Sequence, residues 1–189
     1  MPENFEGQNQ EEDLPEEKKD AQEKSKLTFR NLRIEDFDRM FQIRNEIVLE
    51  EKVPFGNREE IKKEDYLSNI QRSIKMESRG EVISVAAELN GELVGWIAGH
   101  LVREKTEVPT ASGDVLAVAK KARGRKISNN LFERWTERIQ SEWGVKKIIT
   151  ATQIENELSR EVHKKRGFKE TEFFERNGIE FVRMEKDLN

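Results

Sequence analysis

A strand, a basic turn, a helix and a second strand follow one another between residues 114 and 152, and they constrain the fold more than any other segment. Residues 114–119 and 145–152 are short apolar runs that predict strands. Between them, apolar side chains recur every four positions at Ile127, Leu131, Trp135 and Ile139. This period predicts a helix from about residue 124 to residue 144. Strands joined by such a crossover lie parallel in one sheet, so the segment predicts an α/β structure.

Two Asn-Gly pairs, each between β-rich runs, predict tight antiparallel hairpins. The pairs are Asn90-Gly91 and Asn177-Gly178, and the flanking runs are residues 81–89, 92–101, 168–174 and 179–184. Both central positions of the favoured hairpin turn need a positive φ, which Asn and Gly tolerate. Gly95 and Gly99 lie inside one of these strands, where glycine indicates a bulge or the close approach of another chain.

The other predicted elements complete a mixed sheet. They are a strand over 27–33, helices over about 35–51 and 58–78, a loop over 102–111, and a short helix between the N-cap Asn156 and the stop at Gly167. The predicted order is β-α-α-β-β-β-α-β-α-β-β, which is an α/β fold (an α+β mixed sheet) with helices on its faces. Residues 27–189 contain no repeat and are predicted to form a single domain.

Residues 1–26 differ in composition from the rest of the chain. They contain nine acidic residues and four lysines, and their sizeable apolar side chains are Met1, Phe5 and Leu14. Such a segment buries too little apolar surface to offset the entropy lost on ordering. We therefore predict a disordered acidic tail, either a solubilising extension or an arm for a partner.

Composition excludes several classes of function. The net charge is -4, from 34 basic and 38 acidic residues, which argues against a nucleic-acid binder. The absence of cysteine excludes disulfides, a thiolate-bound metal and a thiol nucleophile, and two histidines are too few for a His-rich metal site. No apolar run is long enough to span a membrane, and the acidic N-terminus does not resemble a secretory signal, so a cytoplasmic protein is expected.

The turn between the first strand and the helix of the 114–152 segment is strongly basic. Its charged side chains are Lys120, Lys121, Arg123, Arg125 and Lys126. The unpaired N–H groups at a helix N-terminus bind anions, and the helix dipole strengthens that binding. We interpret the turn as a phosphate or pyrophosphate site. The alternative is an ordinary solvated turn, because one glycine is fewer than a P-loop or dinucleotide fingerprint contains.

Two separated patterns resemble the GNAT superfamily of acetyl-CoA-dependent N-acyltransferases. The family's Leu-x-Val-x-Pro-x-Tyr-Arg-Gly pattern is matched in spacing by Leu116, Val118, Arg123 and Gly124. Its later pattern, an Asn, a Tyr seven residues on and then Gly-Phe, is matched by Asn156, His163, Gly167 and Phe168. The resemblance covers about residues 27–187 and includes the order of elements.

The chain departs from the family at the phosphate loop and at the tyrosine. Lys126 and Ser128 stand where the loop has small residues, and His163 replaces the Tyr; the chain's one tyrosine, Tyr66, lies in the second predicted helix. The resemblance implies acetyl-CoA as co-substrate and no metal. The residues it implies for cofactor binding are Leu116, Ala117, Val118, Arg123, Gly124, Arg125, Lys126, Ile127, Ser128 and Asn156.

The resemblance implies that an acetyl group moves from acetyl-CoA to a primary amine by direct attack, without a covalent enzyme intermediate. The amine would belong to a small molecule, a peptide, a protein N-terminus or a lysine. The strands around 114–119 and 146–152 would splay apart to admit the pantetheine arm, and a backbone N–H would polarise the thioester carbonyl. The acceptor site in this fold lies among the first two helices and the closing hairpin, where Arg44, Glu46 and Arg176 carry both signs of charge.

Two proton transfers accompany such a reaction. His163 occupies the family's proton-donor position and is predicted to be the general acid; the alternative is a surface histidine on a charged helix. Asp114 is the first candidate for the base, because the strand period places it on one face with Leu116. Glu81 and His100 are weaker candidates, and a water chain is a further alternative.

Two other functions remain open at the level of the sequence. One is a non-catalytic CoA-binding or protein-interaction module on the same fold, suggested by Lys126 and by the missing Tyr. The other is an unrelated α/β domain with a basic surface loop. The expected partners are acetyl-CoA and an amine acceptor, with no nucleic acid and no membrane, and a homodimer is left open.

Overall fold

The computed structural model describes residues 26–50, 61–103 and 108–188. Its strands are β1 (Leu27–Arg30), β2 (Val82–Leu89), β3 (Glu92–Leu101), β4 (Thr110–Val118), β5 (Lys147–Gln153), β6 (Lys169–Arg176) and β7 (Ile179–Asp187). Its α-helices are α1 (Phe37–Asn45), α2 (Lys63–Glu77), α3 (Ile127–Trp143) and α4 (Glu157–Lys165). This order confirms the predicted one. The predicted tail, apart from Lys26, lies outside the described residues, as does the predicted start of the second helix.

The strands form one mixed sheet in the order β1-β2-β3-β4-β5-β7-β6. Every neighbouring pair is antiparallel except β4 and β5, which are parallel as the crossover helix predicted. Residues 110–112 of β4 pair with residues 147–149 of β5, and the two strands then separate. We call the space between residues 113–118 and residues 150–153 the gap. This separation of β4 and β5 is the splaying of the two strands that the family resemblance implied.

β4 begins earlier than the sequence indicated. Thr110 and Ala111 were predicted to belong to a loop, but they are buried strand residues that pair with β5, and Ala111 also pairs with Leu101 of β3. Small side chains such as those of Ala111 and Ser112 lack the bulk that signals a strand in sequence. Their strand conformation comes from neighbours on both sides, which local pattern does not reveal.

Both predicted hairpin turns are confirmed by their backbone angles. Asn90 and Gly91 have φ values of 54° and 82°, and Asn177 and Gly178 have values of 54° and 75°. The close approach predicted at the strand glycines is present at Gly99. A Cβ there would collide with the Ser112 carbonyl oxygen and with the Trp135 ring.

The core lies between the sheet and the helices on its faces. Trp135 of α3 is fully buried over Gly99, and its indole Nε1 donates a hydrogen bond of 3.0 Å to the Ile83 carbonyl. Met40 and Ile43 of α1 are also fully buried, and α1 packs on β3 and β4. α1 is shorter than predicted, because a π-helical turn, Glu46–Glu50, follows Asn45. These contacts hold β4 rigidly on one side of the gap.

Candidate functional site

A cavity of about 500 Å³ occupies the gap between β4 and β5. β4 and β5 form two of its walls, and the turn before α3, the start of α3 and one side of α4 complete it. The predicted cofactor-binding residues at its wall are Leu116, Ala117, Val118, Arg123, Gly124, Lys126, Ile127, Ser128 and Asn156. Asp114 and His163 also line it. Arg125 does not, so the structure brings together all the predicted site residues except this one.

The first turn of α3 opens into the cavity at the predicted phosphate site. Lys126 precedes the helix in the left-handed conformation, with a φ of 59°, and its side chain makes no capping hydrogen bond. An L-residue pays about 1 kcal/mol for this conformation, and glycine does not. Ile127 and Ser128, the first two residues of this uncapped helix, line the cavity. They form an anion-binding helix terminus of the kind the sequence indicated.

The basic turn contributes fewer charges to the cavity than its sequence suggested. Arg123 and Lys126 line the wall. Lys121 instead forms an ion pair with Glu92 at the start of β3, with a shortest N–O distance of 2.7 Å. The sequence shows which charges a turn carries, but tertiary contacts such as this ion pair determine which of them line the cavity.

Arg166 is a cavity residue that the sequence reasoning did not identify. Its Nη1 atom is buried and has no hydrogen-bond partner within the described part of the chain, while Nη2 donates to the Asn129 Oδ1 atom at 3.3 Å. Its guanidinium lies 5.0 Å from the centre of the Phe132 ring. A partly buried cation at a cavity wall, with one donor that the described residues leave unsatisfied, favours an anionic ligand. Its position directly before Gly167-Phe168 was the one signal available in the sequence.

His163 is partly buried and lines the cavity, which does not fit its interpretation as a surface histidine. Burial, followed in importance by the charge of Arg166, lowers its pKa to about 4. Its ring packs edge-on against Phe168 with 5.0 Å between ring centres, and Nδ1 is buried with no hydrogen-bond partner among the described residues. The imidazole is therefore neutral at neutral pH. It lines the cavity as a neutral donor or acceptor and does not carry the excess proton of an imidazolium.

Asp114 forms a β-bulge in β4. Ala98 pairs with Val115 and Gly99 pairs with Gly113, so Asp114 has no partner on β3. Its carboxylate accepts a hydrogen bond from the Ser112 hydroxyl at 3.1 Å and lies 2.8 Å from the Nδ1 atom of His100. The prediction that Asp114 shares a face with Leu116 is wrong, because the bulge breaks the two-residue period. The carboxylate lies instead on the face of Ser112 and His100.

The hydrogen bond to Asp114 raises the pKa of His100 above its ordinary value. It outweighs partial burial, which acts in the opposite direction. Asp114 lines the cavity and His100 does not, and each side chain is 43% exposed, so the pair extends from the cavity wall to solvent. Across the gap, the Thr150 hydroxyl donates to the Gly113 carbonyl at 3.0 Å. This bond closes the narrow end of the gap directly beside Asp114.

The remaining candidates lie away from the cavity. Glu81 pairs with Arg103 at 3.0 Å and is absent from the cavity wall. Arg44 is 3% exposed beside Tyr66 in the core, so it does not face an acceptor. Among residues 26–50, 61–103 and 108–188, no group of acidic or histidine side chains is placed to hold a metal ion. In the same part of the chain, no helix has the length and apolarity needed to cross a membrane.

Several solved structures share this fold at low sequence identity. A ribosomal-protein-alanine N-acetyltransferase from Brucella melitensis is 21% identical, with a TM-score of 0.67, covering 85% of this chain and 99% of its own. A putative acetyltransferase from Salmonella typhimurium, solved with its cofactor acetyl-CoA, is 17% identical, with a TM-score of 0.66 and coverages of 87% and 95%. PaiA N-acetyltransferase from Thermoplasma acidophilum, in complex with coenzyme A, is 18% identical, with a TM-score of 0.68 and coverages of 86% and 99%.

No curated protein shows significant sequence similarity to this chain. The family model described as the acetyltransferase (GNAT) family matches residues 37–168, a stretch that includes both strands of the gap and the start of α3. The match spans well over half of the chain, and the seven-stranded sheet agrees with the fold of the solved acetyltransferases. The chain therefore belongs to the GNAT acetyltransferase family.

Proposed function

We propose that the chain is an acetyl-CoA-dependent N-acetyltransferase that acts on a primary amine. The observation that carries this proposal is the continuity of the gap with the uncapped start of α3. Acetyl-CoA is a long ligand with a pyrophosphate near one end and a thioester at the other. A single cavity that joins an anion site to unpaired strand edges suits both parts of that ligand.

The phosphates are assigned to the first turn of α3. The N–H groups of Ile127 and Ser128 and the side chains of Arg123 and Lys126 line that end of the cavity. The unsatisfied Nη1 atom of Arg166 supplies a further charged donor. The pantetheine arm lies along β4, where the backbone of residues 116–118 is free of β5 and offers hydrogen bonds to its amides.

The chemistry needs no enzyme nucleophile. The acceptor nitrogen attacks the thioester carbonyl carbon, a C–N bond forms, the C–S bond breaks and CoA leaves as the thiolate. A β4 backbone N–H stabilises the charge that develops on the carbonyl oxygen. The neutral ring of His163 donates an N–H hydrogen bond to the leaving sulfur, which replaces the protonated general acid predicted from the sequence. The amine loses its proton on the side of the gap where Asp114 lies.

Binding and turnover of the full chain test this proposal. Calorimetric titration with acetyl-CoA and with CoA is expected to give a micromolar Kd, which corresponds to about -8 kcal/mol. Turnover with a panel of alkylamines, peptides and protein N-termini is followed by release of the CoA thiol. The chain contains no cysteine, so the protein adds no background to a thiol assay.

Two outcomes separate the alternatives. Absence of binding at high concentration contradicts the cofactor assignment and favours an unrelated activity on this fold. Binding without turnover of any amine favours the non-catalytic CoA-binding module, for which the replacement of the family's Tyr by a histidine with a pKa of about 4 is the relevant observation.

A further inference from the structure

We infer that His100 is the proton acceptor of the transfer reaction, with Asp114 as the residue that orients it. This inference rests on the proposed function, because it names the atoms that carry out one step of that reaction. The bulge in β4 places Asp114 at the cavity wall and brings it into a 2.8 Å contact with His100, which lies on β3 behind the wall.

The contact fixes which ring nitrogen is free. An ionised carboxylate accepts hydrogen bonds and does not donate them, so Nδ1 of the neutral ring must carry the hydrogen that Asp114 accepts. The tautomer therefore leaves the lone pair on Nε2. The Ser112 hydroxyl donates a hydrogen bond of 3.1 Å to the other carboxylate oxygen, Oδ1. Both oxygens of Asp114 are therefore held in place, and the carboxylate in turn orients the imidazole ring of His100.

An imidazole is better matched than a carboxylate to the proton of an alkylammonium, whose pKa is near 10. An imidazole whose positive charge is stabilised by a carboxylate is matched more closely still. The carboxylate at the cavity wall has a separate effect, since it attracts a cationic acceptor toward the gap.

The step balances as a simple proton transfer. The N–H bond of the acceptor amine breaks, the proton passes through intervening water because His100 does not itself line the cavity, and a new N–H bond forms at Nε2 of His100. The ring becomes an imidazolium that Asp114 stabilises. Because the His100 side chain is 43% exposed, the proton then leaves to solvent and the neutral ring is restored.

Among the residues that the structure describes, the charged groups near His100 are Asp114, Glu81 and Arg103. On β4 it faces Asp114, and on β2 it pairs with Val82, which carries no charge. The Glu81–Arg103 ion pair lies at the adjoining end of β3. Asp114 is the group whose charge shifts the pKa of His100, and the shift is upward.

The test combines kinetics with NMR of the two histidines, which are the only ones in the chain. In the wild-type chain we expect kcat, at saturating amine, to rise with pH through the pKa of His100 measured by NMR. His100→Gln is expected to lower kcat about 100-fold at neutral pH and to remove that limb of the profile, with the Kd for CoA unchanged. Added imidazole should restore part of the rate.

Arg103→Gln is the matched control, because it changes a charge at the same end of β3 without touching the His100–Asp114 contact. We expect the pH profile of kcat in Arg103→Gln to match that of the wild-type chain. An unchanged kcat and pH profile in His100→Gln, with an active wild-type chain, overturns this inference alone. Absence of turnover by the wild-type chain, with CoA bound, overturns the proposed function and this step with it.

Discussion

The two histidines of the chain lie on opposite sides of the gap, and their surroundings differ in one decisive respect. His100, on β3, shares a hydrogen bond with a carboxylate and has a raised pKa. His163, on α4, is partly buried beside Arg166 and Phe168 and has a pKa of about 4. The same side chain thus has a raised pKa on one side and a lowered pKa on the other. Position in a family pattern suggested a proton donor at His163, but the environment of each ring decides its chemistry.

Replacing Asp114, the carboxylate beside His100, is expected to narrow the difference between the pKa values of the two histidines and to have the largest effect on activity. Asp114→Asn should lower kcat about 100-fold, because the imidazolium of His100 loses its counter-charge. The same change should lower the pKa of His100 toward its ordinary value, which NMR titration measures. The pKa of His163 should not move. If the His100 titration is the same in the variant, the contact with Asp114 does not control its protonation.

The low pKa of His163 should appear as a pH dependence of stability. The unfolded chain binds a proton at His163 below about pH 6.5, while the folded chain does so only near pH 4, so stability falls as pH drops through this interval. We expect a loss of about 2–3 kcal/mol in the free energy of unfolding between pH 7 and pH 4.5 from this group. Denaturant unfolding of the wild-type chain and of His163→Phe at both pH values isolates the contribution of His163 to this pH dependence. Equal pH dependence in the two chains contradicts the assignment.

Arg166 links the His163 side of the gap to ligand binding. Arg166→Gln should weaken CoA binding about tenfold, since one charged donor is lost. It should also raise the pKa of His163 partway, because the positive charge is the smaller of its two causes. Arg125→Gln is the control, as Arg125 does not line the cavity. Calorimetry that finds the same loss of affinity in both variants would point to net charge and away from a specific contact.

Lys126→Gly is expected to have the smallest effect and to leave both histidine pKa values unchanged. Glycine removes the cost of the left-handed conformation, so the free energy of unfolding should rise by about 0.5–1 kcal/mol. Tighter CoA binding in this variant would show that the lysine crowds the phosphates. Weaker binding would show that it is a phosphate ligand, and calorimetry distinguishes the two.

Local sequence determined much of this protein. The two Asn-Gly turns, the four-residue period of α3 and the apolar strands around it were enough to predict the order of elements and the parallel pair. These features depend on neighbouring residues and on backbone angles that few residue types adopt. The spacing of Leu116, Arg123, Asn156 and Phe168 resembled the GNAT patterns, and that resemblance predicted where the cofactor site lies.

Tertiary structure alone decided the chemistry of that cavity. The bulge that turns Asp114 toward His100 follows from the register between β3 and β4, which strand periodicity cannot show. The pairing of Lys121 with Glu92, the burial of Arg44 and the placement of Arg166 depend on segments far apart in sequence. A pKa is set by burial and by charges within a few ångströms, whatever their distance along the chain. The sequence therefore determined where the site lies, and the packing of β4, β5 and α4 determined which of its groups are charged.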